Sequence, residues 1–351
     1  MAFRPLDCSP RSPVLPLAWA FVIATGMVCG PAQPIAAEVL GDPLTHEYFL
    51  PESEEEADRG YAKYVMLLVL EGIGEETVKP ESMPVLSRLV QEGAVTWSAS
   101  GVQPAQQLPT MTSLLTGLPA DKHGITWNTF DFIRGYPRPP TVFDYLDLSG
   151  GKDSAVFFMD EAMYQLARPE PYIDYQVCGL LKPECNPATV VGHIQEFFEN
   201  VASGEGHGRA IAALPHLLVV HLPEARRIGA KAGWESKAYR QALGAVDQAI
   251  GAILDVYRNH KMLDRTAVFV TSLNLAGAAA DGANGSEPRL PWIAWGAGIK
   301  HGYAIQRPVS IMDTGATVMR TLGLETYTEW DSHAVDEIFT GPQPGVEAKQ
   351  P

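Results

Sequence analysis

Polar and apolar positions alternate along this chain in two rhythms. After the acidic run ESEEEAD at 52–58, YVMLLVL at 64–70 is an unbroken apolar stretch closed by Glu71, Gly72 and Gly74. Such a run predicts a strand buried on both faces and therefore central in a parallel sheet. The next segment, PESMPVLSRLVQEGA, sets Met83, Leu86, Leu89 and Val90 on one helical face, with Gly93 as its stop. The same order returns with DSAVFFM at 153–159, a helix near 188–203, PHLLVVHL at 215–222 and a long helix from about Ser236 to Tyr257. TAVFVTS at 266–272 and PWIAWG at 291–296 follow as strands. In the long helix Tyr239, Leu243, Val246, Ile250, Ile253 and Val256 recur at helical spacing. Strands alternating with helices of this length predict an α/β fold, a mostly parallel sheet with helices on both faces. Ligands in such sheets collect beyond the carboxyl ends of the strands, which singles out Glu71, the stretch 222–230, and Leu273 onward.

The first residues carry Arg4 and Arg11 into VLPLAWAFVIATGMVCG and then PIAAEVL, where Ile35 and Ala37 suit a cleavage site. This pattern predicts a signal peptide over 1–37, an acidic linker over 38–60, one domain over 61–340 and a loose tail over 341–351. An uncleaved anchor is the alternative, but the apolar core is short for a membrane span. The mature protein is expected to be periplasmic or secreted, with no membrane span. Cys8 and Cys29 leave with the signal, so Cys178 and Cys185 in YQVCGLLKPECNP are expected to close a disulfide; two free thiols are the alternative. At 351 residues and 46% hydrophobic the chain can bury a large core. Its net charge of −15 repels phosphate backbones and anionic headgroups, which argues against nucleic acid as a partner.

The strand-end positions, with the loop GVQPAQQLPTMTSLLTGLPADKHGITWN, resemble the type I phosphodiesterase/nucleotide pyrophosphatase family of the alkaline phosphatase superfamily. The likeness runs roughly from Tyr64 to Phe339. It is carried by the strand ending at Glu71-Gly72, the PVLSRLVQEGA helix, LLTGLPADKHGI, LPE before a loop, TS after a strand, and LPWIAWGAGIKHG followed by SIMDTGATVMRTLGL. The resemblance implies an alkaline-phosphatase-like fold and a hydrolase with two zinc ions. One ion activates a threonine or serine nucleophile and the other stabilises an oxygen at phosphorus.

Zinc needs nitrogen, oxygen or sulfur donors at fixed places, and the positions implied by the resemblance depart from that need. Glu71 stands where the family has an aspartate, and Gln107 stands at the nucleophile, where its amide can neither ionise nor attack. Arg226 and Ala230 replace an aspartate and a histidine, Leu273 and Asn274 replace an aspartate-histidine pair, and the last histidine falls at about Asn284. Asn128 matches an asparagine that the family uses to bond a phosphate oxygen; a turn or capping role is the equal alternative. A helix starting near Pro109 would aim backbone N–H groups at the same pocket.

Other side chains invite functional labels. His123 is expected to be a turn residue, and His221 and Glu224 could form a replacement site with Glu71. Thr110, Thr112 and Ser113 follow Gln107 but fall inside a helix, and no G-x-S-x-G elbow is present. The residues thus point to a pseudoenzyme with no cofactor, binding an anionic small molecule or a protein partner. The alternative is an active metal-dependent phosphoric or sulfuric ester hydrolase with a rearranged site. A third possibility is a structural partner of another exported protein, which would carry an exposed apolar patch.

Overall fold

The computed structural model describes residues 60–150, 152–166, 176–177, 185–203, 214–277 and 289–342. The expected signal peptide, most of the expected linker, Cys178, Asn284 and most of the tail therefore lie outside the described residues. Strand β1 (Tyr64–Leu70) is followed by α1 (Pro84–Glu92), β2 (Ala94–Ser100), α2 (Gln107–Thr116), the short α3 (Ala120–His123) and α4 (Val142–Gly150). Next come β3 (Ser154–Phe158), β4 (Gln176–Val177), α5 (Pro187–Ser203), β5 (Leu217–Leu222), α6 (Glu224–Ala232) and α7 (Lys237–Asn259). The chain closes with β6 (Thr266–Ser272), β7 (Arg289–Gly296), β8 (Tyr303–Ala304) and α8 (Asp313–Thr321).

The strands form one sheet in the order β4-β3-β5-β1-β6-β7-β2-β8. Strand β7 runs antiparallel to both neighbours, β6 and β2, and the other pairings are parallel. The expectation of a mostly parallel α/β sheet is met. The unbroken apolar run of β1 has a direct cause: Val65, Leu67 and Val69 enter one core cluster while Met66, Leu68 and Leu70 enter the other, on the opposite face. With β5 on one side and β6 on the other, β1 sits at the middle of the sheet. Among the described residues no helix is long and apolar enough to cross a membrane.

Two elements depart from the sequence reading. The stretch after LPE is helix α6, not a loop. Its apolar positions are sparse and Gly229 disfavours a helix interior. That glycine is set by packing, since a Cβ there would lie 2.4 Å from the Trp234 ring. Strand β2, half-buried, polar in places and bulged between Thr96 and Ala99, lacks the apolar run that marks β1.

Helix α1 begins at Pro84, after Met83, whose side chain makes no cap. Its free N–H groups are met from a distant helix: Asp247 of α7 accepts from Val85 N at 3.0 Å and from Leu86 N at 2.8 Å. Burial pushes the Asp247 carboxyl above its ordinary value, against the two N–H bonds and Arg88. Replacing this side chain leaves both donors buried and unmet. Asp247→Ala is expected to cost about 2–3 kcal/mol, read as a lower denaturant midpoint with an unchanged slope.

His123 ends α3 and is fully buried. Its Nδ1 accepts from Ile125 N at 3.1 Å and its Nε2 lies 3.0 Å from Ser113 Oγ, an arrangement that fits a neutral ring with its proton on Nε2. It ends a one-turn helix instead of lying in a turn, and its role is structural. Burial lowers its pKa to about 4, with Asp121 opposing. The unfolded chain therefore takes up this proton near pH 6.5 and the folded chain only near 4. The stability that rests on neutral His123 is complete above pH 6.5 and is lost as pH falls towards 4, at up to about 1.4 kcal/mol per pH unit. A His123→Phe variant is expected to show a shallower decline than the parent across that window in denaturation curves at stepped pH.

Candidate functional site

The carboxyl ends of β5, β1 and β6 lie side by side, with Leu70 level with Leu222 on one flank and Ser272 on the other. Glu71 leaves the end of β1 and turns into this centre, wholly buried. Its carboxylate is met from several directions. Gln107 Nε2, at the start of α2, donates to Oε1 at 2.7 Å and Oε2 at 2.6 Å. His221 Nε2, from β5, lies 2.7 Å from Oε1, and Asn274 Nδ2, two residues past β6, donates to Oε2 at 2.7 Å. Arg226 Nε, from the first turn of α6, stands 3.7 Å from Oε2 and its side chain is 33% exposed. A carboxylate offers about four lone-pair directions, and these donors occupy them.

The donors are themselves held. Asn274 Oδ1 accepts from Gly72 N at 2.8 Å, which fixes the amide so that its NH2 group faces Glu71. Asn128 donates from Nδ2 to Gln107 Oε1 at 3.3 Å and accepts from Leu108 N at 2.8 Å. It thus helps cap α2 and orients Gln107 together. Gly72 has a φ of +69°, and a Cβ there would come within 2.7 Å of the Arg226 backbone. Only glycine lets α6 press this closely on the turn and deliver Arg226 to the carboxylate. Tyr239 of α7 donates its hydroxyl to Gly72 O at 2.7 Å, and burial, with Glu76, raises its pKa to about 12, so it stays a donor.

The positions singled out in the sequence do not all meet. Glu71, Gln107, Asn128, His221, Arg226 and Asn274 converge. Leu273 is buried in the core and bonds Leu70 O only through its backbone N–H. Ala230 lies exposed on α6. Glu224 pairs with Arg227 at 2.5 Å, and among the described residues no three His, Cys, Asp or Glu side chains are grouped to hold a metal, so Glu71, His221 and Glu224 do not assemble as a replacement trio. Thr110, Thr112 and Ser113 lie within α2, as expected. Asn284 and Cys178 fall outside the described residues; Cys185 is buried against the core on one sheet face. Gly72 and Tyr239 were not singled out: Tyr239 read as one more apolar position of a long helix, and the glycine was the only signal of a tight approach.

Zinc does not fit this residue set. Leucine and alanine have no donor atom, a guanidinium has no free lone pair, and both amides present N–H groups to the one carboxylate. His221 Nδ1 is buried without a hydrogen-bond partner, but its Nε2 is already engaged by Glu71. Removing the carboxylate leaves its donors facing one another. Glu71→Ala is expected to destabilise by about 3–5 kcal/mol in chemical denaturation, while a chelator leaves the parent's unfolding curve unmoved.

Comparison with known proteins places the fold and the family. Residues 65–272 match the family described as type I phosphodiesterase / nucleotide pyrophosphatase. A search of curated proteins returned no match. Similar solved structures include murine ectonucleotide pyrophosphatase / phosphodiesterase 5, with 12% identity and a TM-score of 0.60, covering 79% of this chain and 100% of that one. The human counterpart has 11% identity and a TM-score of 0.60 over the same shares. A Bacteroides thetaiotaomicron protein from a locus for glycosaminoglycan metabolism has 13% identity and a TM-score of 0.59, covering 82% of this chain and 78% of that one. These likenesses establish the alkaline-phosphatase-like fold. With the family match spanning more than half of its length, the chain belongs to the type I phosphodiesterase/nucleotide pyrophosphatase family.

Proposed function

We propose that this protein is an exported, periplasmic or secreted, member of its family that no longer binds catalytic metal or hydrolyses phosphoric esters, and that acts by binding. The observation that carries this reading is the engaged state of Glu71. The one carboxylate left among the implied ligand positions is held by Gln107 from the implied nucleophile position, by Asn274 and Arg226 from implied ligand positions, and by His221. A metal entering there must break these bonds and displace a positively charged guanidinium.

Arg226 supports the choice of an anionic small molecule as one ligand class. Its partly exposed guanidinium brings positive charge to the mouth of the site, and guanidinium groups pair with phosphate and sulfate in two-pronged fashion. A protein partner is the other class.

Incubating the purified protein with zinc, desalting it, and measuring both bound metal and turnover of bis-p-nitrophenyl phosphate tests this reading. The expected result is substoichiometric metal and no turnover. About two zinc ions per chain together with hydrolysis would sink it. Activity and metal lost together in Glu71→Ala would instead favour a hydrolase with a rearranged site.

A further inference from the structure

The segment after Asn128 forms a braced turn with apolar residues at its tip. Arg134 N donates to Asp131 O at 3.2 Å, which closes a turn with Phe132 and Ile133 at its centre. Asp131 Oδ1 accepts from Ile133 N at 3.0 Å, and Arg134 Nε pairs with Asp131 Oδ2 at 3.1 Å. Buried Gln165 accepts from Asp131 N at 2.8 Å and donates to the carbonyls of Asp131 and Gly135. Arg134 also lies over the Trp127 ring, 5.0 Å from its centroid. Thus held, Phe132 is 79% and Ile133 95% exposed, with Tyr136 behind them. Central turn positions ordinarily hold polar residues, glycine or proline. Here a stiff backbone presents two large apolar side chains, which lowers the ordering cost of docking them.

A candidate receptor lies beside the same strand ends. The segment after β1 and the start of α7 line an open cleft of about 450 Å³, with Trp234, Tyr239 and Leu243 among its residues. Glu76, Glu81 and Glu235 line it as well, against Lys79 and Arg240, and Arg240 is tied back to the Glu235 carbonyl at 2.6 Å. The turn brings the opposite charge: with Arg134 paired to Asp131, residues 126–140 keep Arg138 as their net positive charge, in a chain of net charge −15. Screening over about 8 Å at physiological salt lets this local match act despite the overall repulsion.

We infer that the Phe132-Ile133 turn of one copy docks in the Trp234 cleft of a second copy. Turn and cleft flank the same strand ends: Asn128, just before the turn, bonds Gln107, and Tyr239, in the cleft, bonds Gly72. Reciprocal exchange of turn and cleft about a two-fold axis closes at a dimer. The inference does not depend on whether the site hydrolyses anything.

Light scattering after gel filtration, over a concentration series of the purified protein, tests it. The parent is expected to be dimeric. Phe132→Ser/Ile133→Ser and Glu81→Lys/Glu235→Lys are each expected to weaken the dimer at least about tenfold without moving the unfolding midpoint. An equimolar mixture of the two variants retains one intact contact and is expected to dimerise more strongly than either alone. A parent that stays monomeric throughout, a dimer that the turn variant leaves intact, or a mixture no stronger than its components would each overturn the inference.

Discussion

A charge placed at the dry centre of a sheet must find compensation, because burial of an unpaired carboxylate costs far more than one hydrogen bond returns. Glu71, at the end of β1, imposes that constraint here, and four segments answer it: the ends of β5 and β6 and the first turns of α2 and α6. In the family's pattern the corresponding positions converge on metal. In this chain they converge on one another, with amide, imidazole and guanidinium groups standing where a cation would supply positive charge. The added methylene of glutamate over aspartate carries the carboxylate outward, towards the amides of Gln107 and Asn274.

The surrounding polar groups follow from that arrangement. Gln107 is turned to Glu71 by Asn128, which donates to its carbonyl oxygen and is itself held by Leu108 N at the start of α2. Arg226 reaches it only because Gly72 admits α6, and Gly72 is in turn fixed by Asn274 and Tyr239. The site is thus a closed set of mutually oriented donors and acceptors. Networks of this kind are rigid when fully satisfied, and the free Nδ1 of His221 is the place where satisfaction is incomplete.

The sheet was legible because its central strands bury both faces and so appear as continuous apolar runs, as in YVMLLVL and TAVFVTS. The long α7 was legible because one face alone is buried. Strand β2 and helix α6 were not, since bulge geometry and the packing of Gly229 under Trp234 depend on distant residues. At the site, the residues standing at the family's positions could be named, and their unsuitability for zinc followed from atom types. Their actual work could not be read. The partners of Glu71 lie 36, 150 and 203 residues away, and only the fold decides which end of an amide faces the carboxylate. The choice for Asn128 between phosphate contact and helix cap was open for the same reason.

The position of β1 also bears on how the chain reaches this state. It is the first strand of the described residues, yet its neighbours in the sheet are β5, which begins at Leu217, and β6, which begins at Thr266. The helix that follows it is capped by Asp247 from beyond β5. A growing chain therefore carries its most apolar strand for about 150 residues before its first partner is made, and the centre of the sheet assembles only when the last third, with β6, arrives. Such a topology folds slowly and leaves YVMLLVL exposed to other chains meanwhile, so its early life is governed by whatever keeps that strand apart from its like.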